Sequence, residues 1–164
     1  MKFSKKKTLD KELKLISLYK KKQISDFKKI KPRWAVDKYS VYATTHFKAS
    51  LEDCEIFKIL SKDLIKKADF GDMGGVPLNP NVMFNGVEIR DFRVAKILEH
   101  WDNFGFIDPP QIGIGSFSEI IFYDGRHRTL AAINLGCKFI LIAIHFSDKK
   151  AVERILNLVP IVPR

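Results

Sequence analysis

One stretch leaves the chain little choice of local structure. Ile120-Ile121-Phe122-Tyr123 is an apolar run of strand length that meets Asp124-Gly125 and passes directly into Arg126-His127-Arg128-Thr129-Leu130-Ala131-Ala132, a segment of helical composition. Such an order predicts a strand, a sharp turn and a helix. Gly125 lets the backbone turn tightly and approach a ligand closely, while Ala131 and Ala132 let the helix lie against the strand that feeds it.

The same stretch carries the chemistry. The first N–H groups of a helix have no partner inside it and point outward at the positive end of its dipole, so a phosphate there meets ready donors. Arg126, His127 and Arg128 add charge at that spot. A plainer alternative stays open, in which Asp124 caps the helix and the basic residues form a solvated helix end. Three basic side chains in a first turn nevertheless oppose the dipole unless an anion accepts them.

Pro109-Pro110-Gln111-Ile112-Gly113-Ile114, then Ile120 to Tyr123, then Asp124-Gly125-Arg126-His127-Arg128 with Ala131-Ala132 and Leu135-Gly136 before a further strand, resembles the ParB/sulfiredoxin superfamily over about residues 76 to 146. Val76-Pro77-Leu78-Asn79-Pro80-Asn81 is similar to the short strand and Asn-Pro turn that open the ParB domain. Two departures narrow the resemblance. Sulfiredoxins carry Gly-Cys-His-Arg at the turn, where this chain has Arg126, and Cys137 lies about 15 Å further along at about 1.5 Å per residue, which speaks against sulfiredoxin activity. Partition ParB proteins carry Gly-Glu-Arg-Arg at the turn and Gln-Pro-Arg after the Asn-Pro turn, where this chain has Val82-Met83-Phe84.

The resemblance implies an α+β fold, a small mixed sheet flanked by helices. It implies a nucleotide or other phosphate held by Gly125, Arg126, His127, Arg128 and Thr129, with Arg90 standing in for the missing ParB arginine. ATP, ADP and CTP are the candidate nucleotides, with Mg2+ an open addition. Hydrolysis or phosphoryl transfer also needs a carboxylate and a proton carrier, which makes Asp124, Glu88 and His127 the catalytic candidates. No set of residues has the spacing of a protein metal site. Binding alone, binding coupled to nucleic acid, catalysis as a kinase or nuclease, and a non-catalytic interaction role all remain open.

Charge is distributed very unevenly. Residues 1 to 33 hold 13 Lys or Arg against 3 Asp or Glu, whereas the remainder holds 16 of each, so the whole net charge of +10 resides in the N-terminal third of the first hundred residues. Leu9, Leu13, Ile16 and Tyr19 recur at helical spacing behind Thr8, with Lys7, Lys11, Lys14, Lys21 and Lys22 on the other side. The pattern predicts a basic amphipathic helix over about 9 to 22, continued by Ile24, Phe27 and Ile30 until Pro32. Those five lysines are the nucleic-acid candidates, against a solvated helix face or a membrane surface. The longest apolar run, Phe139 to Ile144, is far short of the roughly 20 residues that span a bilayer. A cytoplasmic, prokaryotic protein is expected, with both cysteines reduced.

The expected organisation is a basic arm over 1–33, a helical and strand part over 34–75, a phosphate-binding core over 76–158 and a loose tail over 159–164. Trp34 to Thr45 alternates as a strand or hairpin would. Ser50-Leu51-Glu52-Asp53 has the form of a capping box, and Cys54, Phe57, Leu60, Leu64, Ile65 and Ala68 fall on one helical stripe ending before Gly71. Gly71-Asp72-Met73-Gly74-Gly75 is the predicted boundary. Asp91 is the expected cap of a helix whose Val94, Ile97, Leu98, Trp101 and Phe104 face the core. Ser116 to Ser118 should turn one strand into the next, Lys138 to Phe146 should be a buried strand, and Ser147-Asp148 should cap a last helix to about Asn157. His46 and His145 read as core histidines and His100 as solvated.

Overall fold

Phe139 to His145 is continuously apolar up to its last residue, the pattern of a strand covered on both faces, and it forms the centre of the sheet. The computed structural model describes residues 2–36, 53–71, 83, 84 and 86–161. In chain order these form α1 (Lys2–Lys20), α2 (Ile24–Phe27), β1 (Cys54–Leu60), α3 (Ser61–Lys67), β2 (Ala68–Asp69), α4 (Glu88–Asp102), β3 (Gln111–Ile114), β4 (Ile120–Asp124), α5 (Arg126–Asn134), β5 (Phe139–His145), α6 (Lys149–Glu153) and β6 (Val159–Pro160). The fold is α+β, with a six-stranded mixed sheet in the order β2-β4-β3-β5-β1-β6. β4 and β2 are parallel, as are β3 and β5, and the other neighbours are antiparallel.

β1 is the largest departure from the sequence reading, which placed a helix from Cys54 to Ala68. Residues 54–60 are extended and pair with β5 over their full length, from Cys54 opposite His145 to Leu60 opposite Phe139. Phe57 and Ile59 are buried at a spacing of two, and helix begins only at Ser61, with Leu64 buried. Ala68, placed at the end of the helical stripe, belongs to β2. Cys54 is half-buried on a strand and not on a helix face. Because β1 and β2 share a sheet with β3, β4 and β5, strands from both sides of the predicted Gly71–Gly75 boundary form one layer.

The N-terminal helix starts at Lys2, a full two turns before the predicted start, and is part of the body. Ile16, Tyr19, Phe27 and Ile30 join the core, whereas Leu9 and Leu13, expected on the same face, are exposed. Lys20 pairs with Asp91, and Lys22 and Tyr19 both donate to Asp102 at 3.0 Å, tying α1 to α4 near both ends of that helix. Beyond α2, Ala35 N–H donates to Ile107 O at 2.9 Å and Ile107 N–H to Arg33 O at 3.0 Å. Trp34 packs edge-on against Trp101, whose Nε1 donates to Arg33 O at 3.1 Å.

Other boundaries shift for local reasons. α4 begins at Glu88, so Asp91 lies inside its first turn; its carboxylate still accepts the Gly86 N–H at 3.2 Å. Val94, Ile97, Leu98 and Trp101 are buried as expected, but Phe104, past the helix end with φ 62°, is 70% exposed beneath the Arg33 guanidinium. His100 is not simply solvated: its Nε2 lies 2.8 Å from Phe106 O. His145 lies at the end of β5, bonded to Ser147 and not enclosed in the core. α6 stops at Glu153, and Val159-Pro160, read as a loose tail, pairs with β1 as a sixth strand. His46, the Val76–Asn81 turn, Val82, the Ser50–Glu52 cap and most of the 34–45 strand lie outside the described residues.

Candidate anion-binding site

β4 ends at Asp124, Gly125 takes φ 89° as the N-cap, and α5 starts at Arg126, so the strand, turn and helix form as the sequence requires. The turn needs glycine twice over. Its φ lies in the left-handed region, and a Cβ there would stand 2.6 Å from the Pro110 backbone. Asp124 Oδ1 accepts the Gly125 N–H at 2.7 Å and so holds the turn.

The candidate phosphate ligands divide by what they already hold. Arg128 is 3% exposed and donates to Asp124 Oδ2 at 3.0 Å and to Pro109 O at 3.2 Å, so its guanidinium braces the turn against the segment entering β3. Thr129 is buried, and both its N–H and its hydroxyl bond Gly125 O at 3.0 Å, which directs the hydroxyl back into the helix. Arg126 donates to Phe70 O at 3.0 Å across the end of β2. His127 is half-buried, and its enclosed Nε2 has no hydrogen-bond partner.

A cleft of about 660 Å³ opens over this turn, walled by Ile89, Phe92 and Arg93 of α4, by Asp124, Gly125, His127 and Arg128, and by Glu12 of α1. Lys96 also lines it. Its electrostatics show in His127, whose pKa falls from 6.5 to about 4: burial is the main cause, followed by the positive charges of Arg93, Arg126 and Arg90, with Asp124 opposing. The ring is therefore neutral at physiological pH, inside a cluster of guanidinium groups. Arg90, named from the sequence, reaches the site electrostatically. Arg93 and Lys96 were missed, although Arg90, Arg93 and Lys96 recur every third residue along α4, a spacing that keeps them near one another on a helix.

Carboxylates are less concentrated. Asp124 is committed to Gly125 and Arg128, Asp91 lies against Lys20, and Glu88 opens α4. Among the described residues no group of three or more His, Cys, Asp or Glu side chains is placed to hold a metal ion. No described helix is long and apolar enough to cross a membrane. Of the nucleic-acid candidates, Lys11, Lys14 and Lys21 are exposed, Lys22 is paired with Asp102, and Lys7 lies within α1. Comparison with protein-family models, with curated proteins and with solved structures gives no match.

Proposed function

We propose that this chain is a phosphate-recognising protein of the ParB/sulfiredoxin kind that binds a nucleotide over the first turn of α5 and couples that binding to nucleic acid through the exposed lysines of α1. The observation that carries the reading is the cleft itself: Arg93 and Lys96 of α4 face Gly125 and His127 at a helix N-terminus that already favours an anion, and the His127 pKa, lowered first by burial, is lowered further by the charges of Arg93, Arg126 and Arg90. A phosphate seated there accepts N–H bonds from the turn, pairs with Arg93 and Lys96, and relieves the repulsion among the guanidinium groups. The volume suits a mononucleotide, with Ile89, Phe92 and Ile97 supplying apolar wall for the base.

Thermal unfolding against ATP, ADP, CTP, GTP and inorganic phosphate, each with and without Mg2+, tests the reading. A ligand at 100 times its Kd stabilises by about 2.7 kcal/mol, and Arg93→Ala should remove the shift. No shift across the panel rejects nucleotide binding and favours a non-catalytic interaction role. Loss of nucleotide phosphate that stops on chelation of Mg2+ moves the protein to the NTPase, phosphotransferase or nuclease class, with Asp124, Glu88 and His127 as the groups to vary.

A further inference from the structure

At the other end of α5 a second cleft, of about 710 Å³, lies between the start of α3 and the loop leading into β5. Its surface is apolar, formed by Leu60, Ile65, Ile133 and Phe139, with Lys62 and Lys138 at its edge. No acidic side chain lines it among the described residues. The walls are preformed, because Ser61 N–H donates to Lys138 O at 3.0 Å and the Ser61 hydroxyl donates to Cys137 O. Positive charge gathers around this opening. Lys58 Nζ stands 4.2 Å from the centre of the exposed Phe139 ring and Lys138 Nζ 5.5 Å from it, and the charge of Lys31 reaches the half-buried Cys137 thiol.

We propose that this cleft is a second ligand site, for a small organic acid with an apolar body and one terminal carboxylate. The apolar walls take the body, since removing apolar surface from water is the favourable term available there. The acid group sits at the mouth, where Lys62 and Lys138 meet it and where no carboxylate lines the cleft among the described residues. Asn134 adds a polar point on the wall. It is 5% exposed, its Nδ2 donates to Leu130 O at 2.9 Å, and its enclosed Oδ1 has no donor. A hydroxyl or amine on the ligand body that turns this side chain toward the cleft would satisfy that acceptor and add selectivity. The site is independent of the nucleotide reading, since it shares with the first cleft only the helix between them.

Titration calorimetry of the full chain with decanoate, with decanol and with inorganic phosphate tests the proposal, and amide NMR shifts locate the binding. Decanoate should bind at least about tenfold tighter than decanol and shift amides in residues 133–139. Lys62→Ala with Lys138→Ala should weaken decanoate about tenfold while leaving the unfolding temperature, and any nucleotide response, unchanged. Equal affinity for acid and alcohol, insensitivity to the lysine pair, shifts confined to residues 124–128, or no binding at millimolar decanoate overturns it. A single-stranded oligonucleotide whose binding depends on the same lysines, in a protein that ignores decanoate, reassigns the surface to nucleic acid.

Discussion

His127 links the candidate site to stability. The unfolded chain takes a proton on this ring as pH falls through about 6.5, and the folded chain only near 4, so the folded state loses stability across that window and no more below it. Denaturant unfolding at pH 7.5 and 4.5 should show a smaller loss for His127→Gln than for the native chain. An anion bound among the guanidinium groups should raise the histidine pKa and shrink the same loss. Arg128 has a different part from the one its sequence position suggests. The resemblance leads one to expect that Arg128→Ala abolishes nucleotide binding in an intact fold, but its bonds to Asp124 and Pro109 make the residue a brace. That substitution should cost about 1.5–3 kcal/mol of stability, read as a lower urea midpoint without ligand. Arg93→Ala, on an exposed side chain, is the cleaner probe of binding. Gly125→Ala should cost about 1–3 kcal/mol from its left-handed backbone, before the clash with Pro110 is counted.

Elements were legible where composition and turn chemistry agreed and illegible where one stripe of apolar residues fitted two periods. Ile120 to Asn134 announced itself because Asp-Gly can hardly be continued through by strand or helix, and because Ala131 and Ala132 suit only a close-packed helix. Cys54 to Ala68 did not, since Phe57, Leu60, Leu64 and Ile65 satisfy a helical stripe while Phe57 and Ile59 satisfy alternation. The strand wins through its pairing with β5, a partner 79 to 91 residues away in sequence and invisible locally. Arg93 and Lys96 were hidden for the same reason, because only the packing of α4 against α5 carries them to the turn. α1 shows the converse, a helix visible in the sequence whose expected apolar face is buried at Ile16 and Tyr19 but exposed at Leu9 and Leu13. Its docking through Ile16 and Tyr19 argues that removing residues 1–23 will not merely strip lysines from the surface. Losing two buried side chains at about 1.5–3 kcal/mol each should lower the unfolding temperature on the order of 10 °C, measured by calorimetry.

At the scale of the molecule, the net charge of +10 is carried by a segment built into the fold, so any nucleic acid it binds is brought alongside the α4–α5 cleft and not held at the end of a tether. If Lys11, Lys14 and Lys21 each meet a phosphate, replacing all three by alanine should flatten the dependence of log affinity on log salt by about 2 to 3 for duplex DNA. Point substitution is the appropriate test, because truncation confounds binding with unfolding. The placement of the two tryptophans makes such distinctions observable. Trp34 and Trp101 are the chain's only ones, and both sit at the seam where the segment following α2 meets α4, Trp101 with its indole N–H on Arg33 O. Emission excited at the red edge of the absorption band, where tyrosine does not absorb, therefore reports on one seam alone. A red shift that precedes the loss of β-sheet circular dichroism in a urea titration would record the N-terminal segment lifting from an otherwise folded body, while coincident transitions would show that segment and sheet open as one unit.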